Sequence, residues 1–141
     1  MKFIVNSAGG VASRVTLGSH ELVFDQPSAV PNGTDRGPSP LDVLAVAVGA
    51  CAHYYAAAFL AARQIPTEGL SVEIEAEKSR RPVARLGTFI IHVKLPAGVA
   101  LDYLPAIERA IRHCPAYGTL VHPPDVRLVV SPHESPKSRV A

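Results

Sequence analysis

The chain has 141 residues, enough for one domain with a core of its own. Hydrophobic residues make up 48% of it, charged residues 18%, and the formal net charge is +2. That charge excludes a basic nucleic-acid footprint, and the apolar balance suggests surface that a second copy covers.

Met1-Lys2-Phe3-Ile4-Val5 is too short an apolar run for a signal-peptide core, so the expected compartment is the cytoplasm. Residues 2–5 and 11–17 read as two strands around a Gly9-Gly10 turn, and His20 to Asp25 as a third. Residues 26–37 hold Pro27, Pro31, Asn32, Gly33, Asp35 and Gly37, which mark a loop.

A long helix follows. Ser39 suits the N-cap, Pro40 the first helical position, and Asp42 the positive end of the dipole. From Leu41 to Ala62 the only formally charged residue is Asp42. A helix apolar on all sides must be wrapped by its own domain or by a second chain. The stretch is long enough for a membrane span, but it is rich in Ala and Gly and carries His53, Tyr54 and Tyr55 near its centre. The reading is therefore a core helix with no membrane, and a homodimer in which two such helices pack together. Pro66 and Gly69 end it.

Leu70, Val72, Ile74 and Ala76 alternate with Ser71, Glu73, Glu75 and Glu77, the pattern of a half-buried strand. Ser79 to Arg85 is a basic turn, and Leu86 to Leu95 closes a hairpin. Asp102 is the expected N-cap of a second helix, whose stripe of Leu104, Ile107, Ile111 and Cys114 faces inward until Pro115 stops it. Val126 to Val130 is expected as a last strand, and residues 132–141 as a flexible tail. The order β-β-β-α-β-β-α-β predicts a single α+β domain over 1–141 with a long central apolar helix.

The chemistry rests on two thiols. Cys51 and Cys114 lie on the apolar stripes of separate helices, where each is either small core filler or half of a redox pair. A disulfide requires their Cα atoms to come within about 7 Å. A reactive Cys51 thiolate needs a nearby cation. Arg14, Arg36, Arg80, Arg81 and Arg85 are the candidates, and the sequence does not choose among them. Cys51, His53, His113 and Cys114 make a nominal metal set. On a helix 51 and 53 point about 200° apart, and 113 and 114 about 100°, so no metal is expected.

Gly37-Pro38-Ser39-Pro40-Leu41-Asp42-Val43-Leu44, followed by Gly49-Ala50-Cys51, resembles the signature helix of the OsmC/Ohr family (osmotically inducible protein C and organic hydroperoxide resistance protein). Arg112-His113-Cys114-Pro115-Ala116-Tyr117-Gly118-Thr119-Leu120 is similar to that family's second cysteine motif. The resemblance implies an intertwined homodimer with sites at the subunit interface. It implies reduction of organic hydroperoxides, or of hydrogen peroxide, without metal, haem or flavin. Cys51 matches the peroxidatic and Cys114 the resolving cysteine, with an external dithiol of lipoyl type as reductant. The family's thiol-activating pair is a Glu directly after the signature proline and an N-terminal Arg. Here Leu41 holds the first position, Asp42 is the adjacent acid, and Arg14 or Arg36 is the candidate cation.

Leu44, Val48, Tyr54 and Tyr55 share the helical face of Cys51 and are expected to line an apolar substrate pocket. Two other functions fit the same residues. One is a non-catalytic protein that binds a small ligand. The other is a thiol-disulfide or sulfur-transfer protein to which peroxide is irrelevant.

Overall fold

The computed structural model describes residues 1–132. Its elements are β1 (Val5–Ser7), β2 (Ser13–Leu17), β3 (His20–Phe24), α1 (Pro40–Ala61), β4 (Ser71–Ser79), β5 (Arg85–Lys94), a 3-10 turn (Leu101–Tyr103), α2 (Leu104–Arg112) and α3 (Pro115–Val121). The fold is α+β, with two small antiparallel sheets and three helices.

β1, β2 and β3 form the first sheet in that order. Val5 pairs with Val15, and Leu17 with His20. Only Gly18 and Ser19 separate β2 from β3, and Gly18 takes φ +62°, a conformation that favours glycine. The second sheet is the β4–β5 hairpin, in register from Ser71↔Lys94 to Ser79↔Arg85 with a bulge at Glu77/Lys78. Its inward side chains are those the alternation selected, Val72, Ile74 and Ala76.

α1 begins where its sequence indicates. The Ser39 hydroxyl accepts the Asp42 amide (3.2 Å) and donates to Asp42 Oδ2 (2.7 Å). The helix closes around Gln64, at φ +58°. The Ile65 amide donates to the Leu60 carbonyl (3.1 Å) and the Gln64 amide to the Ala61 carbonyl (3.0 Å), the paired bonds of a Schellman closure.

The main core lies at the C-terminal half of α1. There Ala56 and Leu60 meet Ile107 of α2, with Phe59, Leu70, Val93, Leu95 and Ile111 packed around them. Further along, Gly49 lets β4 approach closely: a Cβ on Gly49 would lie 2.5 Å from Ile74 Cγ1.

Besides Asp102, which lies inside the 3-10 turn and caps no helix, two expectations need correction at the C-terminal end. First, α2 does not continue to Cys114. Pro115 disfavours helical geometry at the residue before it, so Cys114 is extended (φ −61°, ψ 123°). Pro115 then opens α3, a position where its missing N–H costs nothing. A sequence signal read only as a stop is also a start. Second, residues 126–130 are not a strand. Val126, Leu128, Val129 and Val130 are almost fully exposed and pair with no strand among the described residues. The expected tail, beyond Pro132, falls outside the described residues.

The chain as a whole exposes 11168 Å². A compact monomer of 14.9 kDa exposes about 7,000 Å². Large apolar side chains contribute to the difference, among them Ile4, Val5, Leu44, Val46 and Tyr54. α1 is long and apolar enough to cross a membrane, and 28% of its most apolar window is buried in the chain. Its buried residues are Val48, Gly49, Ala52, Ala56 and Leu60.

Candidate active site

The site is a thiol pair held by three helices. Cys51 lies mid-way along α1 and Cys114 at the joint between α2 and α3. They are joined as a disulfide across a sequence separation of 63, with Cα atoms 6.1 Å apart. The extended backbone at Cys114 aims its side chain inward, and the residue is only 1% exposed. The joint is fixed locally as well. The Cys114 amide donates to the Ile111 carbonyl (2.9 Å), and the Cys114 carbonyl accepts the Gly118 amide (2.9 Å). Cys51 is only partly buried.

The surroundings of Cys114 are polar on the outer side. Arg112 bonds Glu108 Oε1 through Nε (3.0 Å) and Nη2 (2.7 Å), and Tyr117 Oη through Nη1 (2.8 Å). The Glu108 carboxylate, with the Tyr117 hydroxyl, holds the Arg112 guanidinium above its already high ordinary pKa. This cluster sits at the mouth of a cavity of about 360 Å³, walled by Ile91, Val93, Leu95, Leu104, Ile107 and Ile111. No contiguous motif marks this cluster in the sequence. Its readable signals were the i,i+4 spacing of Glu108 and Arg112 and the aromatic five residues on.

The expected pocket over Cys51 is divided. Val48 is buried in the interior. Leu44 lines a different cavity, with Val5, Phe24, Pro40 and Val43 under the first sheet. Tyr54 is 66% exposed and Tyr55 half-buried, their rings edge to face at 5.4 Å. One helical face spans several neighbours, so residues in line along it do not share one cavity. On another face of α1, Gly49, Ala50 and His53 meet Val72 and Ile74 around a third cavity.

Two of the candidate cations have partners on the first sheet and its hairpin. Arg14 Nε lies 3.7 Å from Glu21 Oε2 on the adjoining strand. Arg36 Nη1 donates to the Ala8 carbonyl (2.8 Å), tying the loop to the first hairpin. Arg80, Arg81 and Arg85 are exposed around the β4–β5 turn. Asp42 caps α1 beside Ser39, about 14 Å along the axis from Cys51. Among the described residues no three His, Cys, Asp or Glu side chains converge on a metal-sized site.

The loop before α1 has an anchor of its own. Asp25, 2% exposed, accepts the amides of Gln26 (2.7 Å), Thr34 (3.2 Å) and Arg36 (3.1 Å) and the Thr34 hydroxyl (2.6 Å). The Thr34 hydroxyl leads in holding its carboxyl down at about 2; burial opposes this and the three amides reinforce it.

The family model for OsmC-like protein matches residues 33–129, from the loop before α1 to the exposed C-terminal segment. The chain belongs to the OsmC-like family. Solved structures agree on the fold. An OsmC-like protein from Mycoplasma pneumoniae superposes with a TM-score of 0.69 at 19% identity, covering 86% of this chain and 85% of that one. A protein from Psychrobacter arcticus, assigned to osmotic stress and detoxification responses, gives 0.74 at 18% identity, covering 87% and 89%. An organic hydroperoxide resistance protein from Legionella pneumophila gives 0.60 at 18% identity, covering 85% and 89%. No curated protein matches the chain. Identities this low show the OsmC fold alone. With the Cys51–Cys114 disulfide, family membership supports a redox role.

Proposed function

We propose that this protein is a cysteine-based peroxidase that reduces organic hydroperoxides at Cys51. The observation that carries the reading is the bonding of Cys51 to a buried Cys114 across three helices. In the peroxidase cycle the Cys51 thiolate attacks the terminal peroxide oxygen and the O–O bond breaks. The alkoxide leaves, takes a proton and departs as alcohol, and Cys51 becomes a sulfenic acid. Cys114 attacks that sulfur, water leaves, and the disulfide forms. An external dithiol, of lipoyl type, returns both thiols by exchange and leaves oxidised. The cycle needs no metal or organic cofactor. A reducing cytoplasm suits a disulfide that must be opened at each turnover.

The active form in this reading is a homodimer. One chain leaves a run of apolar side chains along α1 exposed, which supports association with a second copy. A second copy would cover Leu44, Val46 and Tyr54 of α1.

One equivalent of cumene hydroperoxide added to reduced protein tests the reading. Wild type loses both thiols, Cys114→Ser loses one as a sulfenic acid, and Cys51→Ser keeps its thiol. A wild type that keeps both thiols ends the peroxidase reading.

The cavity at Arg112 favours a second reading, a protein that binds a small apolar ligand. In that case the Cys51 thiol titrates near its ordinary value of about 8.5, and peroxide is not consumed.

A further inference from the structure

The Arg112–Glu108–Tyr117 cluster closes its charges on itself and leaves hydrogen-bonding groups over an apolar cavity. We infer that this cavity binds a neutral amphiphile, a short aliphatic chain ending in a hydroxyl. The chain lies between β5 and α2, and the hydroxyl sits on Tyr117 and Glu108. The inference gives the second reading above a ligand class. It uses neither thiol, and so stands or falls apart from the peroxidase reading.

The walls follow from two periodicities. Alternation along β5 turns Ile91, Val93 and Leu95 inward and His92 and Lys94 outward. There His92 Nε2 lies 3.1 Å from Glu75 Oε1, and Lys94 Nζ 3.2 Å from Glu73 Oε2. On α2 the i, i+3 and i+7 positions Leu104, Ile107 and Ile111 form the facing wall. The two walls stand apart around about 360 Å³, within the roughly 300–1,000 Å³ of small-molecule sites. No residue of α1 lines the cavity. It therefore lies off the face of Leu44, Val46 and Tyr54 that a second copy would cover in the homodimer.

The mouth selects the head group. Arg112 gives Nε and Nη2 to one oxygen of Glu108, Oε1, and Nη1 to Tyr117 Oη. Guanidinium and carboxylate cancel, so the cluster carries no net charge. An incoming carboxylate would meet Glu108 as well as Arg112, and an ammonium Arg112 as well as Glu108. Either ion gives up its water for little net attraction. A hydroxyl gives up less and finds two partners. Tyr117 Oη is used as an acceptor and keeps its own proton. Glu108 Oε2 has no partner among the described residues. The ligand oxygen accepts from Tyr117 and donates to Glu108, a donor–acceptor pair that a hydroxyl combines in one atom.

The test is an amide NMR titration of the oxidised full-length protein, its disulfide closed, with n-octanol, octanoate and n-octylammonium as probes. Octanol is expected to saturate, with shifts concentrated in residues 91–95 and 104–117, and to bind about tenfold more tightly than either ion. Tyr117→Phe should weaken octanol binding about two- to tenfold. Glu108→Gln leaves the Arg112 charge uncancelled, so octanoate should then bind at least as tightly as octanol. A merely structural role for Glu108 would not produce that reversal. Leu104→Trp, at an exposed wall position, should abolish binding while leaving the other amide signals in place. The inference is overturned by the absence of saturable octanol shifts, as when a second copy fills the cavity, or by shifts centred elsewhere. It is equally overturned by a wild type that prefers either ion, or by a Glu108→Gln chain that keeps the wild-type preference. Peroxide consumption by reduced protein is scored separately. Turnover beside a failed titration removes the ligand site and leaves the peroxidase reading; a successful titration without turnover does the opposite.

Discussion

Gly49 of α1 and Ile74 of β4 meet so closely that a single methyl group does not fit between them. A Cβ at Gly49 would stand 2.5 Å from Ile74 Cγ1 and 3.3 Å from its Cδ1. Gly49→Ala is expected to destabilise the fold by about 1–2 kcal/mol through overpacking, despite alanine's better helix propensity. Ile74→Ala in the same chain removes the clashing atoms, so the double variant should lose less than the sum of the two single losses. Urea midpoints of the four chains measure the cycle. A Gly49→Ala chain more stable than wild type would show that Ile74 yields freely.

The disulfide closes a loop over a sequence separation of 63. Chain-entropy reasoning puts its contribution at about 4 kcal/mol for a loop of that length, with native strain and denatured-state structure reducing it. Oxidised wild type should therefore exceed Cys114→Ser by about 2–4 kcal/mol in urea unfolding. α3 has no buried residue, and Cys114 is its N-cap. Reduction should accordingly speed amide exchange in residues 115–121 more than in the β4–β5 hairpin. Equal effects on the two would show that α3 is held by its other contacts.

Asp25 sets a pH dependence whose sign follows from its bonds. Its carboxyl is lowered from 3.8 to about 2 in the folded protein, led by the Thr34 hydroxyl. A depressed folded value means that the stabilisation is fully present above the unfolded value. It is lost as pH falls from about 4 through about 2. Asp25→Asn should lower stability at neutral pH, and its deficit should shrink as the pH is taken down across that window. Thermal unfolding of both chains at a series of pH values checks this; a constant deficit would remove Asp25 as the titrating group.

Gln64 occupies left-handed backbone at φ +58° where glycine carries no Cβ penalty. Gln64→Gly is expected to stabilise the helix end by about 0.5 kcal/mol, the relief of the strain less the greater entropy of an unfolded glycine. Calorimetry on the reduced and oxidised forms measures it. A loss of stability would mean that the glutamine side chain contributes more than its backbone costs.

Much of this architecture is local and so is written in the chain. Ser39-Pro40 starts α1 because a hydroxyl and a missing N–H suit a helix N-terminus wherever they occur. Val72, Ile74 and Ala76 alternate because a strand has two faces. The OsmC-like helix and the second cysteine motif were legible for the same reason, as short runs with fixed spacing. What the tertiary structure decided depends on contacts between distant residues. Pro115 ended one helix and began another, turning Cys114 inward. Leu44, Val48, Tyr54 and Tyr55 lie along one helical face, yet different neighbours divide them. Arg14 and Arg36 found partners on the first sheet and its hairpin, which spacing alone could not assign. Val126 to Val130 has a strand's composition, but a strand also needs an edge to bond, and among the described residues none pairs with it. Sequence spacing placed two thiols on apolar stripes; only the packing of α1 against the α2–α3 joint brought their Cα atoms to 6.1 Å. It did so because non-local burial, and no local propensity, sets the distance between helices.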